Sequence, residues 1–192
     1  MLLRAISMKT AILAWGSVIW DPRNLRFRGK WELGGPKLKI EFSRVSKDAR
    51  LTLVIDTTNG VEVPTRFAES SRPSLLDTVA DLRDREGTIM RCIGFTDISG
   101  DHASVCEHSE HSYAHDIVRT WLKASDYEAA VWTALRSNYK EQQSQAFTVP
   151  HAVSYIHGLP RAPRENALEY IRNAPSEVDT PLRKALVAEH LL

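Results

Sequence analysis

Residues 37–44, KLKIEFSR, alternate without a break: Leu38, Ile40 and Phe42 fall on one side, Lys39, Glu41 and Ser43 on the other. Residues 50–56, RLTLVID, repeat the pattern with Leu51, Leu53 and Ile55. In an extended chain successive side chains point to opposite faces, so a period of two commits both stretches to half-buried strands. The link between them, 45–49, is short and polar, which predicts an antiparallel hairpin. Asn59-Gly60 marks a turn. Residues 61–67 read as one further strand, pushed to a sheet edge by Pro64, which has no N–H to donate.

The period then changes. Over 74–86, Leu75, Leu76, Val79 and Leu82 fall on one helical face. Ser74 supplies an N-terminal cap and Gly87 stands where a helix-ending glycine belongs. Residues 88–97 return to strand character, and 99–112 read as a polar loop. Helices are expected from there on: 111–124 with Ile117, Val118, Trp121 and Leu122 on one face, 125–139 opened by the capping-box form of Ser125 to Glu128, then 152–157, 164–173 and 181–190. Thr180-Pro181 is a cap followed by a first-turn proline.

Strands first, one inserted helix, one more strand and then helices predict an α+β fold. Its expected form is a small, mainly antiparallel β-barrel or curled sheet surrounded by helices. The 192 residues suit one domain, with a barrel-forming core over 10–97 and a helical part over 111–192. A net charge of +1 gives no basic surface for nucleic acid. The longest apolar run, 10–20, is shorter than the roughly 20 residues a membrane helix needs. The opening MLLRAISMKT has neither the apolar core nor the cleavage site of an export signal. Two cysteines, Cys92 and Cys106, make no disulfide framework, and a reducing cytoplasm is the expected setting. No GxGxxG and no Walker-type loop is present, which excludes the common nucleotide-binding patterns.

Three stretches carry candidate chemistry. The first is AILAWGSVIWDP, residues 11–22. Gly16 interrupts an apolar run, as a glycine does at a bulge or where something approaches the backbone closely. Ser17 adds a hydroxyl. The stretch reads as a strand opening into a small loop able to bind an anion or carbonyl, or simply as a strand followed by a turn. The second is DLRDREGT, residues 81–88. Arg83, Asp84, Arg85 and Glu86 read as the solvated end of an amphipathic helix with local ion pairs. The alternative singles out Glu86, an acid at the negative end of a helix dipole, which when half-buried suits proton transfer near neutral pH. The third is DHASVCEHSEHSYAHD, residues 101–116, holding His102, Cys106, His108, His111 and His115. His111 and His115 are spaced to share a helix face, but the run has no HExxH order and no CxxC pair. It reads as a polar surface loop, and no metal is expected. Ser17 lacks the GxSxG context of a nucleophile. Cys92 reads as a core strand residue.

Two of these stretches together resemble the gamma-glutamylcyclotransferase family, in particular its ChaC-like branch. That family carries a YGSL-type loop after its first strand, and AWGSVIWDP at 14–22 is similar to it. The ChaC-like L-x-x-RE segment resembles Leu82-Arg83-Asp84-Arg85-Glu86, and implies that Glu86 is the catalytic acid and base. ALEYIRNAP, at 167–175, is similar to ChaC-like tails. The resemblance implies a barrel-like fold and release of 5-oxoproline and a free amine from a small gamma-glutamyl amide. It requires no cofactor and places substrate contacts on Trp15, Gly16, Ser17 and Val18. Trp15 stands where the family has tyrosine, and an indole has an N–H but no hydroxyl. Two other readings follow from the residues: a non-catalytic small-molecule binding protein on the same fold, and a metal-dependent hydrolase using the histidine run.

Overall fold

Thr10–Ala14, TAILA, forms a strand (β1) buried along its whole length. A fully buried run of this kind, apolar after Thr10, needs cover on both faces and neighbours on both edges. It has both neighbours: Arg66–Ser70 (β6) runs antiparallel on one side and Ala129–Thr133 (β8) parallel on the other. The computed structural model describes residues 8–104 and 109–192, the side chains of 109–111 excepted. With Phe27–Glu32 (β2) and Ile93–Asp97 (β7), these strands make a five-stranded sheet in the order β2-β6-β1-β8-β7. A second sheet has the order β4-β3-β5, from Lys37–Val45 (β3), Leu51–Ile55 (β4) and Val61–Pro64 (β5). The fold is α+β. Of the two expected forms, barrel or curled sheet, the barrel is not formed: among the described residues there are two mostly antiparallel sheets and neither closes on itself.

The chain divides into two compact units interleaved in sequence. The first, residues 1–14, 22–36 and 66–134, holds the five-stranded sheet with helices Leu75–Glu86 (α1) and Ser109–Lys123 (α2). The second, residues 15–21, 37–65 and 135–192, holds the three-stranded sheet and four helices. These are Tyr139–Gln143 (α3), Val149–Gly158 (α4), Arg161–Asn173 (α5) and Pro181–Ala188 (α6). No helix among the described residues is long and apolar enough to cross a membrane.

The predicted β3–β4 hairpin forms, with Val45 opposite Leu51 and Ile40 opposite Ile55. Three expectations are corrected. Residues 61–67 are not one strand: Pro64 ends β5 at the edge of the second sheet, and β6 begins at Arg66 inside the first. Cys92 is not in a core strand but half-buried at the end of a 3₁₀ turn over Met90–Cys92, ahead of β7. Residues 129–133 are strand, not helix. The capping residues are diverted: the Glu128 carboxylate accepts the Lys9 N–H at 2.7 Å, and the Glu128 N–H donates to the Lys9 carbonyl at 2.9 Å. That exchange starts the β1–β8 pairing, so the β-branched and aromatic run AAVWT continues extended.

In the second unit the polar side of β3 is covered as well. Glu41 is fully buried, with Oε1 accepting the Phe42 N–H at 2.7 Å and Oε2 the Leu182 N–H at 3.3 Å in the first turn of α6. Burial, partly offset by hydrogen bonds from Thr180, Phe42 and Leu182, pushes its carboxyl from 4.5 up to about 6. The folded state therefore holds this proton more tightly than the unfolded chain. Stability from this group is greatest below 4.5 and falls by about 2 kcal/mol as the pH rises through 6. Urea unfolding of the wild type and of Glu41→Gln on either side of that window is expected to show the loss only in the wild type.

Candidate functional site

Glu86 is the last residue of α1, whose N-terminus is capped by the Ser74 hydroxyl accepting the Asp77 N–H. Gly87 follows at φ 60°, a conformation that costs glycine little. Its N–H bonds the Asp84 carbonyl while Thr88 reaches back to Arg83, so the helix stops at a fixed point. Glu86 is thereby held at one end of β8. Its Oε1 accepts from the Thr133 hydroxyl at 3.1 Å and from Arg85 Nη1 at 2.9 Å. The carboxylate is mostly enclosed, with 15% of the side chain exposed.

The helix end is solvated only in part: Asp84 is exposed and pairs locally with the half-buried Arg83. Arg85 is buried, and its backbone carbonyl accepts from Arg23 Nη1 at 3.2 Å. Asp81, one turn earlier, is buried too and takes the Arg26 N–H at 2.8 Å and an Arg72 guanidinium N–H. Charged groups are buried in folded proteins when paired and hydrogen-bonded, and both of these are. A carboxylate fixed by a hydroxyl and a buried guanidinium, with one oxygen not assigned to either contact, can exchange a proton with a bound amine.

The glycine–serine loop belongs to the second unit. β1 ends at Ala14, and residues 15–20 turn tightly: Ile19 N–H bonds the Gly16 carbonyl at 2.9 Å and Asp21 N–H the Ser17 carbonyl at 2.8 Å. These two bonds, one spanning three residues and one four, use the Gly16 and Ser17 carbonyls as acceptors and give the loop a helical sense. Trp15 and Val18 are buried, while Gly16 and Ser17 are half-buried. The glycine marks a close approach, as expected: a Cβ at position 16 would stand 3.2 Å from the Tyr170 hydroxyl oxygen and 3.8 Å from Leu53. Tyr170, on α5, is held by edge contacts with Trp20 and Phe42 at ring separations of 5.3 Å and 6.3 Å. The Arg50 guanidinium lies 5.1 Å from its ring centre.

No protein-family model matches this chain, and neither the curated proteins nor the solved structures give a significant match. Its chemistry is therefore read from its own residues. The structure groups Trp15, Gly16, Ser17 and Val18 with Tyr170 in one unit, and Glu86 with Arg85 and Thr133 in the other. Arg85 and Thr133 were not singled out from the sequence. Continuing the α1 stripe from Leu75 through Val79 and Leu82 lands on 85 and 86, the signal that finds Arg85. Thr133 was hidden by the helical reading of its segment.

The histidine run is divided among separate contacts. His102 Nδ1 pairs with Asp97 at 2.7 Å. His115 is buried, its Nε2 3.0 Å from the Ser104 hydroxyl and its ring edge-on to Trp132. Ser104 Oγ also accepts the Phe95 N–H at 3.1 Å, tying this stretch to β7. Cys106, His108 and the His111 side chain lie outside the described residues. Among the described residues no three His, Cys, Asp or Glu side chains are grouped to hold a metal ion.

Proposed function

We propose that the chain is a gamma-glutamylcyclotransferase-like enzyme acting on a gamma-glutamyl amide. The observation that carries this reading is the state of Glu86: mostly enclosed, at a capped helix end, and oriented by Thr133 and Arg85. The alpha-amine of the glutamyl group attacks its own side-chain carbonyl carbon. A C–N bond closes a five-membered lactam, the bond to the departing amine breaks, and 5-oxoproline and the free amine leave. Nucleophile and electrophile belong to one molecule, so holding the folded conformer contributes up to about 7–11 kcal/mol in well-aligned cases. The attacking amine must lose a proton and the departing amine must gain one. Glu86 takes the first proton and returns it to the leaving nitrogen. The resemblance assigns the remaining substrate contacts to the loop at 15–18, which belongs to the second unit, whereas Glu86 belongs to the first.

Trp15 removes the hydroxyl that the resembling family has in this loop, and Tyr170 brings a hydroxyl to Gly16 from α5. Tyr170→Phe keeps the ring and its packing and removes one hydrogen-bonding group. It is expected to lower kcat/KM for the best gamma-glutamyl amide by about tenfold. Unchanged steady-state kinetics in a well-folded Tyr170→Phe protein would remove Tyr170 from the site. The alternative, a binding protein that has lost the chemistry, has the Trp15 substitution in its favour. Binding of a gamma-glutamyl amide without any product, followed over prolonged incubation, would establish it.

A further inference from the structure

A cleft of about 460 Å³ in the first unit is walled by aromatic rings and carboxylates, and belongs to no step above. Trp121 on α2 and Tyr127 ahead of β8 stack at 5.9 Å with 18° between their planes, and Phe67 on β6 packs against both at 5.3 Å and 5.5 Å. The Trp121 indole N–H donates to the Gly34 carbonyl at 2.9 Å, which fixes the ring. All three rings are only half-buried. Glu32, Glu69 and Asp126 line the same cleft.

One cation already uses this wall. Lys9 Nζ lies 4.7 Å from the Tyr127 ring centre and 4.0 Å from Glu69 Oε2. The Lys9 N–H donates to the Glu128 carboxylate and the Lys9 carbonyl accepts the Glu128 N–H, so the backbone is pinned and the side chain can leave the ring without breaking the sheet. Glu69 Oε1 is paired with the exposed Arg28. The Tyr127 hydroxyl is pushed up first by burial and then by Glu69, Glu32 and Asp126, which agrees with a negative field here. An aromatic face with carboxylates around it attracts ammonium groups through the ring quadrupole and through charge. The volume lies within the range of small-molecule sites.

We propose that this cleft binds a small organic ammonium ion, which displaces Lys9 from the face of Tyr127. The site is separate from Glu86: Tyr127 precedes β8, whereas Thr133, which holds Glu86, ends it. Its occupancy is therefore tested without reference to turnover.

The probe is butylammonium, titrated into the whole protein by calorimetry and ligand-observed NMR, with potassium chloride and 1-butanol as controls. Saturable binding of butylammonium is expected, with neither control binding or competing. Lys9→Gln removes the internal competitor and is expected to tighten binding by about tenfold. Tyr127→Leu and Glu69→Gln are each expected to weaken it by a similar factor. Should Tyr127→Leu not fold, Glu69→Gln decides. The proposal is overturned by an absence of saturation in both the wild type and Lys9→Gln, by equal competition from potassium, or by unchanged binding in folded Glu69→Gln.

Discussion

Glutamine in place of Glu86 is expected to lower the rate of 5-oxoproline release by about 100-fold or more while leaving the fold intact. The amide keeps the shape of the carboxylate and still accepts from the Thr133 hydroxyl, so the contact to β8 survives. The ion pair with the buried Arg85 is lost, and it is this change that needs a control. Breaking a buried pair can cost several kcal/mol by leaving the partner charge uncompensated. Urea unfolding of Glu86→Gln therefore belongs beside the rate measurement. A folded variant with lost turnover identifies Glu86 as the proton carrier. A folded variant with turnover near wild type would refute that role. Aspartate at the same position keeps the charge but withdraws it by one methylene, and its rate should fall between the two.

Gly94→Ala is expected to have a large effect on stability. Gly94 on β7 lies opposite Trp132 on β8, and the indole lies directly on it. A Cβ at position 94 would fall 2.2 Å from both Trp132 Cε2 and Nε1. Trp132 is fully buried, so the ring has no open space to move into. Forced overpacking of this kind costs about 3 kcal/mol. Thermal and urea unfolding of Gly94→Ala should both show it. The cost should shrink in a Trp132→Leu background, where the clashing ring is gone, and the double-mutant cycle reads that coupling directly. Equal penalties in the two backgrounds would show that the glycine is needed for another reason.

What the sequence disclosed follows from where local preference and tertiary demand agree. The β3–β4 hairpin was legible because its alternation, its short link and its buried face all point the same way. So was α1, with Ser74 and Gly87 at its ends. β8 was not. Its segment offers a helix cap in Ser125 and Glu128, and only pairing with β1, more than a hundred residues away in sequence, turns Glu128 to Lys9. No local pattern contains that partner. Closure of a sheet is equally non-local, and the strand order that leaves both sheets unclosed among the described residues depends on pairings that alternation cannot report. At the candidate site, the glycine in the 16–18 loop announced a close approach but not what approaches, because Tyr170 comes from the opposite end of the chain. Glu41 shows the limit of a period of two. Its place on the polar side of β3 was evident, but its burial under the start of α6 was not.

The decisive measurement is the product formed from a panel of gamma-glutamyl amides, with 5-oxoproline, glutamate and free amine quantified together. Intramolecular cyclisation predicts 5-oxoproline and amine in equal amounts from at least one member, with no glutamate. Release of glutamate in place of 5-oxoproline would mean that water, not the substrate's own amine, attacks the carbonyl, and would contradict the account.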